Sequence, residues 1–240
     1  MNIITIVGAR PQFIKAAALC KELTNQEGIS ERILHTGQHY EIGMSDRFFS
    51  ELDIPEPFIN LGIGGGTHGQ NTGRMIEKIE EILIQNRPNG VVVYGDTDST
   101  LAGTLSASKL KIPIFHIEAG LRSFNKNQPE EQNRIVTDHL SDLCFAPTNE
   151  AVLNLKKEGI NQEFIIRTGD IMADTVRIFG TKCMKNKNLI ANIDINKMNF
   201  ILTTIHRPEN TDNFSKLKNI LDALDTFQKS NFNNKNFKII

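Results

Sequence analysis

Residues 91–117 read VVVYGDTDSTLAGTLSASKLKIPIFHI. Three valines and Tyr94 close on Gly95, a polar turn follows, a helical stretch opens near Ser99, and IPIFHI (112–117) is a second apolar run. Two apolar runs joined through a helix-length segment make a βαβ unit, whose strands lie parallel. Runs of the same kind recur at 2–7 (NIITIV), 31–36 (ERILHT), 58–61 (FINL), 143–146 (LCFA) and 164–168 (FIIRT). Between them lie amphipathic stretches, clearest from Gln70 to Gln85, where Met75, Ile76, Ile79, Ile82 and Leu83 form one stripe beside Arg74, Glu77, Lys78 and Glu81. The alternation predicts an α/β fold, a Rossmann-like doubly wound parallel sheet covered on both faces, filling residues 1–170.

After Asp170 a helix is expected to about Thr181, followed by a polar, Asn- and Lys-rich linker reaching residue 198. NFILTTIH (199–206) reads as a strand, FSKLKNILDALDTFQK (214–229) as a helix and the terminal NFKII as a strand start, so residues 199–240 are read as the beginning of a second α/β domain.

Composition narrows the function classes. With 240 residues, 39% hydrophobic and 23% charged, the chain reads as an ordinary soluble globular protein. No apolar run approaches the roughly 20 residues that span a bilayer, and Met1 leads directly into a strand; no membrane partner and a cytoplasmic location are expected. A formal charge of −1 without a basic patch argues against nucleic acid. Cys20, Cys144 and Cys183 are isolated and read as buried small hydrophobes.

In open parallel sheets ligands bind beyond the carboxyl ends of the strands. After the first strand comes GARPQFIK (8–15), where Gly8 admits close approach, Pro11 suits a first helical position, and Arg10 and Lys15 bracket a helix N-terminus, a plausible seat for phosphate. GIGGGTHG contains a formal GxGxxG at Gly64, Gly66 and Gly69, but it follows the third strand candidate, so a loop over a ligand cleft is expected rather than a dinucleotide site. Asp96 and Glu118 fall at the tips of successive strands; if those pair, the strand axes lie about 4.8 Å apart. The structural alternatives are an N-cap role for Asp96 or Asp98 and a salt bridge from Glu118 to Arg122. With Glu130 and Glu131 nearby in sequence, close like charges would push one pKa upward and yield an acid and a base for proton transfer at carbon.

HTGQH (35–39) and His116 raise the question of a metal, but His35 lies within a strand, so no metal site and no cofactor are expected. No GxSxG elbow supports serine hydrolysis. His206 and Arg207 end the first strand of the second domain, where a donor would complete an anion site; a turn preceding Pro208 is the structural alternative.

Taken in order, GARPQFIK, HTGQH, YGDTDSTLAG, HIEAGLRSFN, PEEQNRIVTDHLSD and TTIHRPEN resemble the non-hydrolysing UDP-N-acetylglucosamine 2-epimerase family. The wording of GARPQFIK, MSDRFF and GGTHGQ is most similar to the branch acting on UDP-2,3-diacetamido-2,3-dideoxyglucuronate. The resemblance implies a two-domain glycosyltransferase-B arrangement, a homodimer, a UDP-sugar substrate, and elimination of UDP to a glycal followed by re-addition. It implies acid-base roles for Asp96, Glu118 and Glu130 and substrate binding by Arg10, Lys15, His39, Arg134 and His206. It also implies that the second domain would continue past residue 240, carrying the loops that grip uridine and ribose. EIGMS (41–45) departs from the MLDQ-like run of members activated by UDP-GlcNAc, which leaves open whether UDP-GlcNAc is an effector here. Competing readings are a hydrolysing 2-epimerase, a glycosyltransferase of the same architecture, and an inactive nucleotide-binding module.

Overall fold

The computed structural model describes residues 1–38, 49–185, 199–206, 208–230 and 237–239. They form two compact units, Met1–Thr181 and Lys182–Ile240. The first is built on seven parallel strands, β1 (Asn2–Val7), β2 (Ser30–His35), β3 (Ile59–Asn60), β4 (Gly90–Tyr94), β5 (Ile114–Ile117), β6 (Leu143–Ala146) and β7 (Ile165–Arg167). Their order across the sheet is β3-β2-β1-β4-β5-β6-β7. Succession reverses between β1 and β4, and a doubly wound sheet opens a crevice beyond the strand ends at such a point.

The helices are α1 (Arg10–Thr24), α2 (His68–Asn86), α3 (Asp98–Lys109), α4 (Pro129–Leu140), α5 (Asn149–Lys157) and α6 (Ile171–Lys185). Strand alternation assigns side chains to two cores. Ile3 and Val7 join Phe13, Ala17 and Cys20 of α1 with Val92 and Tyr94. On the other face, Ile4 and Ile6 join Leu34, Met75, Ile79 and Leu83 of α2, and Ala102 and Ala107 of α3. Every residue of β4 is buried, which is why it reads as an unbroken apolar run.

The boundaries shift for local reasons. The run at 112–117 pairs only from Ile114, because Pro113 has no N–H and Ile112 instead donates to Ala107 at the end of α3 (3.0 Å). Thr67 caps α2, its hydroxyl accepting from the Gln70 N–H at 3.4 Å, so the helix begins before Gln70. Thr97 caps α3 by accepting from Thr100 N–H (3.2 Å), which corrects the N-cap role considered for Asp96 and Asp98. Cys20 and Cys144 are buried free thiols; burial, reinforced by Glu31, raises the first, and burial with Asp138 pushes the second up to about 12. Cys183 lies outside the described side chains.

In the second unit β8 (Asn199–Ile201) and β9 (Phe237–Ile239) pair in parallel, with α7 (Pro208–Thr211) and α8 (Phe214–Ser230) between them in sequence.

Candidate active site

The tips of β1, β4 and β5 meet at the reversal point. Gly8 must be glycine: a β-carbon there would lie 2.1 Å from both Ser99 Oγ and Thr36 Oγ1, which are themselves hydrogen-bonded at 2.7 Å. Gln12, in the first turn of α1, turns back into this space. Its Oε1 accepts from Gly8 N–H (2.8 Å) and Ala9 N–H (3.0 Å), while its Nε2 donates to the Tyr94 carbonyl (3.1 Å) and Thr100 Oγ1 (2.9 Å). The anion seat expected from backbone N–H groups is therefore corrected, since the protein's own amide occupies two of them. The Arg10 side chain is exposed at the first helical position.

Lys15, a turn and a half further on, reaches across to Glu118 and forms an ion pair with its Oε2. Glu118 stands in the left-handed region (φ 71°) just beyond β5, and its carboxylate lies over Gly95, where a β-carbon would sit 3.0 Å from Oε2 and 3.2 Å from Lys15 Nζ. Gly95 adopts φ 59° and immediately precedes Asp96. The Glu118 carboxylate thus lies against the turn that leads into Asp96. Asp96 is held by Arg134 of α4 through its Oδ2, and Arg134 Nη1 also bonds Glu131 at 2.9 Å. The expectation of two mutually repelling carboxylates is corrected to two ion pairs, one cation from each flanking helix. The expected bridge from Glu118 to Arg122 is corrected as well: Arg122 instead bonds Asp138 (2.7 Å) and Glu158 (2.6 Å).

Of the acid pair opening α4, Glu131 is buried and accepts from the Ser123 (2.9 Å) and Phe124 (2.8 Å) N–H groups, fixing the loop that follows Glu118. Burial pushes its carboxyl up, but those backbone donors and Arg134 outweigh it and hold it below the usual range. Glu130 is exposed on the first turn of the same helix.

Behind the tips lies a sealed network. His116 bonds Asp138 through Nδ1 (2.7 Å) and the Gly95 carbonyl through Nε2 (2.8 Å), while the other Asp138 oxygen accepts from Gly120 N–H (3.1 Å) and Arg122. Desolvation pushes Asp138 up, yet His116 and Arg122 hold its carboxyl below the usual range. One carboxylate and one imidazole therefore tie together the turns that carry Asp96 and Glu118.

His35, considered for a metal, is packed in the core, stacked on Phe13 at 5.0 Å and bonded to Asn60 (3.0 Å). Among the described residues no group of three His, Cys, Asp or Glu is placed to hold a metal ion. His39 and Arg207 lie outside the described residues. His206 belongs to the second unit and is exposed there, its carbonyl accepting from Asn210 (3.2 Å).

Sequence reasoning missed Gln12, Asn133 and His68. Asn133 Nδ2 donates to the Asp96 carbonyl (2.9 Å) and Asp98 Oδ1 (3.1 Å). Helical spacing would have found it, because Glu130, Asn133 and Arg134 stand at i, i+3 and i+4 of one helix. A hollow of about 340 Å³ lies against the half-buried apolar side chains of β5 and β6, with Glu118 at its edge; its apolar lining does not suit a diphosphate.

Residues 21–236 match the family model described as UDP-N-acetylglucosamine 2-epimerase. The chain is 50% identical over 230 residues to the UDP-2,3-diacetamido-2,3-dideoxy-D-glucuronate 2-epimerase of Pseudomonas aeruginosa, covering 95% of this chain and 64% of that one. It is 52% identical over 225 residues to a UDP-N-acetylglucosamine 2-epimerase homolog of Methanococcus maripaludis, covering 93% and 62%. Among solved structures, the UDP-GlcNAc 2-epimerase of Methanocaldococcus jannaschii in complex with UDP-GlcNAc and UDP aligns with a TM-score of 0.87 at 40% identity, covering 100% of this chain and 73% of that chain. The chain spans 61–64% of the length of the first four curated relatives it matches. No helix among the described residues is long and apolar enough to cross a membrane.

Proposed function

Since this chain belongs to the UDP-N-acetylglucosamine 2-epimerase family, we propose that its site inverts C2 of a UDP-2-acetamido sugar by eliminating UDP and adding it back. The observation carrying this reading is the pair of strand-tip acids, Asp96 and Glu118, each bonded to a cation beside the crevice of the sheet. Inversion at carbon requires a proton to leave one face and return on the other. In the forward step a carboxylate takes the C2 proton, the C2–H electron pair forms the C1–C2 double bond, and the C1–O bond breaks with its electrons leaving on UDP. The reverse step delivers a proton to the opposite face as a diphosphate oxygen re-attacks C1.

A C2–H bond is weakly acidic, so a positioned base contributes on the order of 10²–10⁴-fold. Lys15 and Arg10 supply positive charge where the diphosphate charge develops, which favours the transition state over the ground state. Binding of the substrate gives Lys15 a second anionic partner and loosens its hold on Glu118, freeing that carboxylate to accept a proton. Glu130, exposed on the α4 turn beside Glu131, is assigned as the further acid-base group, and Arg134, His39 and His206 as substrate contacts. The relatives' names support a UDP-linked 2-acetamido sugar as the substrate class. A homodimeric working form and use of the product in bacterial surface polysaccharide follow from the same family reading.

The test is incubation of UDP-GlcNAc and UDP-2,3-diacetamido-2,3-dideoxyglucuronate with the chain in heavy water, followed by mass spectrometry. Deuterium at C2 of recovered nucleotide sugar, with the manno epimer present, is expected from one of them. Free UDP rising in step with turnover would replace this reading by hydrolysing epimerisation. Unlabelled C2 in both sugars would sink it.

A further inference from the structure

The GGTHGQ stretch (65–70) has no role in the mechanism above, yet it delivers a histidine to the same end of the sheet. His68, the first residue of α2, bonds Asp98 Oδ2 through Nδ1 at 2.7 Å. Asp98 is 6% exposed, whereas the His68 side chain is 72% exposed. The other Asp98 oxygen accepts from Asn133 Nδ2, and that same nitrogen donates to the Asp96 carbonyl. His68, Asp98, Asn133 and Asp96 are thus one continuous hydrogen-bonded chain running from the rim to the strand tip.

A carboxylate only accepts, so Asp98 assigns the ring proton to Nδ1, and the neutral imidazole then carries a lone pair on Nε2. This is the arrangement by which a buried carboxylate fixes the tautomer and direction of a histidine. An ordinary surface His–Asp pair explains the distance but not the burial of the acid or its second tie to the Asp96 turn. The site's other polar groups are committed differently: Lys15 and Arg134 are donors, and the Asp96 and Glu118 carboxylates already accept from them. Nε2 of His68 is an acceptor that no donor among the described residues reaches.

We propose that His68 is a specificity-determining residue of this site, offering Nε2 as acceptor to an N–H or O–H donor on the sugar of the bound nucleotide sugar. The inference rests on the nucleotide-sugar reading given above and deepens it. It predicts a contribution that appears only when the sugar is attached to the diphosphate.

Calorimetric titration of the chain with UDP, UDP-GlcNAc and UDP-glucose at pH 8 tests it. His68→Ala is expected to weaken UDP-GlcNAc binding about tenfold, the worth of one neutral hydrogen bond, while UDP binds as before. His68→Gln, whose amide oxygen can accept, is expected to restore most of the loss; His68→Ala, which takes one donor from the buried Asp98, is expected to lower the melting temperature by a few degrees while the chain stays folded and binds UDP. An equal loss with UDP-glucose identifies a hydroxyl as the donor; loss confined to UDP-GlcNAc identifies the acetamido N–H. Equal weakening of UDP and UDP-GlcNAc, or unchanged UDP-GlcNAc binding, overturns the proposal. Failure of the unsubstituted chain to bind any of the three overturns the nucleotide-sugar reading itself, and this inference with it.

Discussion

The chain places the same chemical pair, a carboxylate against a cation, at two depths a few residues apart. At the strand tips, Glu118 with Lys15 and Asp96 with Arg134 keep 11–28% of their side chains exposed. Behind them Asp138, Arg122 and His116 keep at most 1%. The members of the rear network are sealed from solvent, and their bonds end on backbone, on one another or, from Arg122, on Glu158; the network holds turns in place. The front pairs leave their acids half-buried at the crevice, where a ligand can compete for the cations. On the proposed reading depth separates scaffold from chemistry, since the residue types are the same.

Breaking the rear set is expected to have the larger effect on stability. Asp138→Ala leaves Arg122 and His116 buried without their shared acceptor and frees the Gly120 N–H, at a cost of about 3–5 kcal/mol, read from urea unfolding. The pH dependence has the same origin. Asp138 and Glu131 have folded-state values below the usual carboxylate range. Their contribution to stability is complete above the unfolded carboxylate value of about 4 and is lost as pH falls below it through the depressed folded values. Thermal melts at successively lower pH should show that loss, with a shallower slope in Asp138→Asn. Such a slope unchanged by the substitution would place the acid sensitivity elsewhere.

The front is expected to respond in the opposite sense. Glu118→Gln keeps the shape of the side chain and a partner for Lys15, so its unfolding free energy should change by no more than about 1–2 kcal/mol. A loss as large as that of Asp138→Ala would erase the distinction between the two depths and make Glu118 part of the scaffold.

The seven strands were legible because parallel buried strands are written as short apolar runs, and the reversal point placed attention on the residues after β1, β4 and β5. The helix starts were less so: the Thr97 hydroxyl does the capping considered for Asp96 or Asp98, and Thr67 caps α2 ahead of the stretch read from Gln70. Asp96 and Glu118 could be singled out from their position after strands, but their partners could not. Lys15 lies 103 positions from Glu118 and Arg134 lies 38 from Asp96, whereas a reading along the chain favours the nearby Arg122. Gln12 was hidden for another reason: an amide that closes a glycine turn looks in sequence like any polar residue of a first helical turn.

The central claim is that the tip carboxylates carry the proton at carbon. Its most direct test is the rate at which C2 of the accepted UDP-sugar takes up deuterium from solvent, measured for the parent chain, Asp96→Asn and Glu118→Gln. The account predicts that each substitution slows uptake by about 10²–10⁴-fold while leaving UDP binding in place. Uptake at the parental rate in either folded variant would contradict it.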